Sequence, residues 1–161
     1  MISLVLPKKI EKKLKEEVKR TGISEEELMI EALSKFLNEP LNPETKAEIH
    51  LKLSEKYLRD AEEFLIKKDF VQASEKAWEA AAQIVKASAV KEGKELRSHG
   101  ELYRYVAELS KEKGDKEIMK LWFSATSLHQ NFYENWFPEE AVRSAVEDVK
   151  NFIEKLRKFL L

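Results

Sequence analysis

The residues best suited to chemistry in this chain are two of its three histidines and the polar groups spaced around them. His129, Asn131, Tyr133 and Glu134 fall within about one and a half turns of one helical pattern. His129 and Tyr133 are four positions apart and share a face of that helix. His99 sits between Ser98 and Gly100, in the first turn of another helix. Glu75 and Lys76 lie in the alanine-rich run "QASEKAWEAAAQIVKASA", where a charge must reach solvent or find a partner. Two imidazoles, a carboxylate and a phenol from facing helices can form a proton-transfer or anion-binding pocket. The same groups can form a buried hydrogen-bond network that fixes helix register. Both readings stay open at this level. His99, His129 and Glu134 offer three potential metal ligands but match no metal-ligand spacing, so no metal or cofactor is assigned. Phosphate loops and nucleophile elbows are absent, and no catalytic residue is assigned. His50, on a further helix, is expected to be exposed. The aromatic run "NFYENWF" is read as core that closes the end of a bundle, with base stacking as the alternative.

The elements that must hold these groups are long amphipathic helices. The first of this set is expected from about Pro43 to Lys67, with a stripe through Ile49, Leu53, Tyr57, Ala61, Phe64 and Leu65. Asp69 caps the next, which stops at Gly93. Ser98 with Glu101 reads as a capping box opening a third, ended by Gly114. A fourth runs from about Asp115 to Asn135 and a fifth from Pro138 onward. Short connections between long helices predict an antiparallel bundle. The alanines around Trp78 place the second helix at its centre.

The N-terminal residues read differently. In "MISLVLPKK", Ile2, Leu4 and Leu6 alternate with Met1, Ser3 and Val5, which predicts a short half-buried strand. "PKKIEKKLKEEVKRTG" puts Ile10, Leu14 and Val18 on one helix face. Ser24 and Glu27 form a capping box for a following helix whose expected buried stripe is Leu28, Ala32, Leu33, Phe36 and Leu37. This strand, helix, turn, helix order over residues 1–38 resembles the ribbon-helix-helix family of DNA-binding proteins. The resemblance implies a homodimer built by pairing the strand with its copy in a second chain. It also implies that Met1, Ser3 and Val5 face DNA, and none of these makes bidentate contacts to base edges. Lys8, Lys9 and Lys12 could touch phosphate, or could form a solvated face. Dimerisation with weak or no sequence-specific DNA binding is the resulting expectation.

"NEPLNPE" breaks the pattern and marks a linker at 39–44. Beyond it, "DFVQASEKAWEAAAQIVKASA", "LRSHGELYRYVAEL" and "WFSATSLHQNFYENWFPEEAV" resemble the archaeal PaREP family, a helical branch similar to HEPN domains. This implies a HEPN-like bundle over residues 45–161. It also implies a possible toxin or nucleotidyltransferase partner chain. Ribonuclease members of the HEPN group carry an Arg a few residues before a His on the helix matching "SLHQNFYEN". This chain has no Arg from Asp115 to Val142. RNA cleavage of that type needs His for proton transfer and Arg for phosphate charge, so the activity is not expected.

Composition sets the remaining bounds. The 161 residues are 43% hydrophobic and 37% charged, with a net charge of −1, so no global field draws the protein onto nucleic acid or an anionic membrane. The absence of cysteine excludes disulfides and thiolate metal sites. No apolar run is long enough for a membrane span, and lysines follow rather than precede the first apolar stretch, so a cytoplasmic location is expected. Abundant Lys and Glu suggest a thermophilic source. The combined expectation is a mainly α protein: a ribbon-helix-helix module followed by an antiparallel bundle of about five helices. Its expected role is dimeric, non-enzymatic regulation or assembly, with an antitoxin-like role as one form of it. The alternative is an enzyme or a nucleotide- or RNA-binding domain using a His99/His129 pocket.

Overall fold

Small side chains decide the centre of the molecule. The computed structural model describes residues 3–160. Every regular element among them is a helix: α1 (Lys8–Thr21), α2 (Glu25–Leu37), α3 (Pro43–Ile66), α4 (Phe70–Lys91), α5 (His99–Lys113), α6 (Glu117–Glu134) and α7 (Glu139–Leu160). Helix α4 is buried on all sides, with Ala73, Ala77, Ala80, Ala81, Ala82, Ala87 and Ala89 spread around it. A helix covered in methyl groups lets neighbours approach closely, and α3, α5, α6 and α7 all pack against it. Trp78 fills the space the alanines leave. Its ring lies 5.2 Å from Trp122, which in turn lies 5.7 Å from Phe152 of α7. Tyr57 of α3 and Ile84 and Val85 of α4 complete this buried column.

The caps follow from local chemistry. Asn42 accepts the Thr45 N–H and Asp69 the Gln72 N–H. Ser24 and Glu27 form a full reciprocal box. At α5 the box is only half formed. Ser98 accepts the Glu101 N–H, but the Glu101 carboxylate accepts the N–H of Arg97 instead of Ser98. Gly114 and Asn135 close α5 and α6 in the left-handed region.

Among the described residues the expected ribbon-helix-helix strand is not present. Residues 3–7 form no regular element, and Val5 is 97% exposed. Met1 and Ile2 lie outside the described residues. The reason is physical: alternation makes a strand only where a ladder partner exists, and every other regular element of the described chain is helical. The apolar faces of the hairpin α1–α2 are also not buried as expected. No residue of α1 is buried, and Glu27 is the only buried residue of α2. Leu4, Ile10, Leu33, Phe36 and Leu37 are exposed, Phe36 to 85%. The hairpin meets the bundle through its turn, where Ile23 and Ser24 are buried, and through polar side chains of α2.

Candidate functional site

Two polar clusters interrupt the apolar interior. The first gathers residues from α4, α5 and α6. The rings of His99 and His129 lie 4.9 Å apart, and Trp78 lies 5.5 Å from His99 and 4.8 Å from His129. Tyr133 meets His129 edge-on at 5.4 Å. His129 Nδ1 lies 3.4 Å from Glu75 Oε2. Burial first, then the adjacent His129, holds the His99 imidazole below its usual pKa. Next along α4, the Lys76 ammonium pairs with Glu79 at 2.9 Å and lies over the Tyr57 ring. Desolvation pushes the Glu79 carboxyl up to about 7, because the nearby Glu75 offsets part of what Lys76 contributes.

The structure therefore brings Glu75, His99, His129 and Tyr133 together, while Lys76, the next residue of α4, turns instead toward Glu79 and Tyr57. Asn131 stands apart. It is buried, donates to Ser74 Oγ at 3.0 Å and accepts the N–H groups of Trp136 and Phe137 at 3.0 and 2.9 Å. It thus ties α6 to α4 and shapes the turn into α7. Glu134 is exposed and takes no part. Phe132 and Tyr133 stack edge-on at the end of α6, and Trp136 is largely exposed.

The geometry limits what the histidine cluster can do. The turn between α1 and α2 lies directly over it. A Cβ added at Gly22 would lie 2.9 Å from His99 Nε2, so the turn covers part of that ring and leaves it half-buried. Both imidazoles are half-buried, and the neighbouring Tyr133 is exposed. Stacked rings under a tight turn position helices and the hairpin relative to each other.

The second cluster lies under α2. Glu27 and Lys86 are 8% and 5% exposed, and the Lys86 ammonium reaches both carboxylate oxygens at 2.9 and 3.0 Å. Gln83 Nε2 donates to Glu27 Oε2 at 2.6 Å, and the Ser24 N–H donates to the same oxygen at 3.1 Å. Against burial, the Lys86 ammonium above all, helped by the Ser24 N–H, holds the Glu27 carboxyl below its usual range. His50 of α3 completes the set, with Nδ1 2.7 Å from Gln83 Oε1 and 3.7 Å from Glu27 Oε1. His50 was expected to be exposed and is instead largely buried, because α2 lies over the face of α3 that carries it. Burial lowers its pKa in spite of the neighbouring carboxylate. Sequence reasoning missed this cluster. Its one legible signal is Gln83 and Lys86 on the most apolar helix of the chain, where unpartnered polar groups are costly. Around it lies a cavity of about 270 Å³ between α2, α3 and α4.

Among the described residues no group of three or more potential ligands is placed to hold a metal ion, and no helix is long and apolar enough to cross a membrane. The model of the archaeal PaREP1/PaREP8 family matches residues 49–153. The chain is also similar to the crystal structure of a protein from Sulfolobus solfataricus. The two are 30% identical with a TM-score of 0.61, and the match covers 68% of this chain and 97% of that one. No curated protein matches.

Proposed function

The chain belongs to the archaeal PaREP1/PaREP8 family, and we propose that it is a homodimeric regulatory or assembly protein that joins its copy through the hairpin α1–α2. The observation that carries this reading is the unburied apolar face of that hairpin: Ile10 on α1 and Leu33, Phe36 and Leu37 on α2 are exposed. Each such side chain contributes about 1.5–3 kcal/mol when taken fully out of water. Charge favours a second copy as the occupant. Helix α1 carries seven basic and three acidic residues, while α2 carries four acidic residues and one lysine. A two-fold pairing can set the basic helix of one chain beside the acidic helix of the other, a self-complementary arrangement.

The role is non-enzymatic in this reading. The paired imidazoles lie under the Gly22 turn, and α6 lacks the arginine that phosphate chemistry would require. The lysines of α1, among them Lys8, Lys9 and Lys12, are exposed and support at most salt-sensitive contact with a polyanion. The test is sedimentation equilibrium of the full chain beside Leu33→Asp/Phe36→Asp. A dimer in the native protein and a monomer of unchanged helicity in the variant are expected. A native monomer at about 50 μM, well above the micromolar range of specific association, would refute the reading, as would a variant that stays dimeric.

A further inference from the structure

The cavity beneath α2 has the build of a small-molecule site. Its walls are Ile23 and Ile30 on one side, Ile49 and Val90 on the other, and Leu41 and Leu96 from the flanking loops. Its inner polar groups come from the buried cluster, Glu27, His50 and Lys86, and its mouth is lined by Glu31, Ser34, Lys35, Lys46, Glu95 and Arg97. Ligand pockets combine mostly apolar walls with a small number of fixed polar groups in this way.

The hydrogen bonds fix what those groups can offer. Gln83 Nε2 donates to Glu27, which turns its Oε1 toward His50. That oxygen only accepts, so His50 carries its proton on Nδ1 and donates it there. Nε2 is then the unprotonated ring atom. Lys86 uses two donors on the Glu27 carboxylate and keeps a third. Carboxylate and ammonium cancel, so the polar end of the cavity is uncharged overall. The rim charges are mostly paired, with Lys35 as one further cation. Lys46 pairs with Glu95, and Arg97 lies 3.2 Å from Glu31 and 3.4 Å from Glu95.

We propose that this cavity binds a small, uncharged, mostly apolar alcohol or phenol, whose hydroxyl donates to His50 Nε2 and accepts from Lys86. A hydroxyl is the simplest group that can both donate to an imidazole nitrogen and accept from an ammonium. A hydrocarbon leaves both unsatisfied, and a carboxylate meets the lone pair of a neutral imidazole and the Glu27 charge. Size agrees: a dry cavity of about 150 Å³ holds a benzene, so this one holds a ring with a short chain or two fused rings. Burial keeps the imidazole neutral and so preserves the acceptor.

Three probes of one shape separate the possibilities: 4-propylphenol, propylbenzene and 4-propylbenzoate, each titrated into the full-length protein by two-dimensional amide NMR. 4-Propylphenol is expected to shift amides near Glu27, His50 and Lys86 and to bind at least about tenfold more tightly than the other two, the value of one well-made buried hydrogen bond. His50→Phe should erase the preference for the phenol over the hydrocarbon. Ile30→Trp, which fills the cavity and leaves the polar cluster intact, should abolish binding of all three. No binding of the phenol at millimolar concentration overturns the proposal, as do equal affinities for phenol and hydrocarbon, tighter binding of the carboxylate, or shifts confined to another region. If His50→Phe does not fold, the probe ranking and Ile30→Trp still decide the outcome.

Discussion

Replacing Lys86 by Met should detach the N-terminal hairpin while leaving the bundle folded. Methionine keeps most of the lysine's length inside α4 and removes its charge. The Glu27 carboxylate then stays buried with Gln83, the Ser24 N–H and His50 as its remaining polar neighbours. Breaking one partner of a buried pair costs about 3–5 kcal/mol. Protonation of Glu27 limits that cost. Its usual pKa is 4.5, so taking up a proton at pH 7 costs about 3.4 kcal/mol at 1.36 kcal/mol per pH unit. The loss should thus be about 3 kcal/mol at pH 7 and under about 1 kcal/mol at pH 5. The sign is fixed by the direction of the shift. In the native chain the Glu27 pKa is depressed, so its stabilisation is present above pH 4.5 and fades as pH falls through the lower folded value. In Lys86→Met the pKa is raised, so stability is lost as pH rises above 4.5. No residue of α1 is buried, so the hairpin has few other holds. The remaining ones include the Tyr57–Ser24 hydrogen bond, the Lys56–Glu26 pair and the Arg97–Glu31 pair. Hydrogen exchange followed by mass spectrometry should show protection lost over residues 8–37 at pH 7 and recovered on mild acidification, with α4 and α7 unchanged. Uniform loss of protection across the bundle would refute this reasoning, and so would a hairpin indifferent to the substitution.

Glu79→Gln should flatten the pH dependence of stability between pH 4.5 and about 7. The folded pKa is raised, so the native chain loses stability as pH rises through that window, by up to about 3 kcal/mol. Denaturant melts of both proteins at several pH values check this, and the difference between them removes the opposite contributions of His50 and His99. Gly22→Ala places a Cβ at φ +73° and 2.9 Å from His99 Nε2. It should cost about 1–3 kcal/mol, read in the thermal midpoint, with His99→Ala relieving part of it. Asn131→Ala leaves the Trp136 and Phe137 N–H groups without their acceptor. A loss of about 1–3 kcal/mol in urea melts is expected, without change in the oligomeric state.

The bundle was legible because its signals are local. Asn42, Asp69 and Ser98 cap the helices the periodicity calls for, and Gly114 ends α5. The alanine run around Trp78 marks the central helix by composition alone. The N-terminal strand was misread for the complementary reason. Alternation in Ile2, Leu4 and Leu6 states a preference for an extended, half-buried segment, and only a partner can turn that preference into a sheet. The same holds for Leu33, Phe36 and Leu37, where period and apolar character say that a face should be covered without saying by what.

Long-range polar pairing is the least legible layer. Glu27 reads locally as the third residue of a capping box, and it is one, since its carboxylate accepts the Ser24 N–H. Nothing in its neighbourhood along the chain shows that the same carboxylate also receives Lys86 from a helix 59 residues away. The capping bond explains how the pairing arises. It fixes the Glu27 side chain back over the turn, at the end of the hairpin that lies against α3 and α4. A residue chosen for helix initiation thereby becomes the charged contact that docks the hairpin. The cavity follows from the same geometry, because α2 is held by polar side chains at its first turn while its apolar face is left uncovered. A hairpin held by its turn and by polar contacts along the first half of α2 can shift without disturbing the core, and the pH-dependent release expected of Lys86→Met measures that freedom directly.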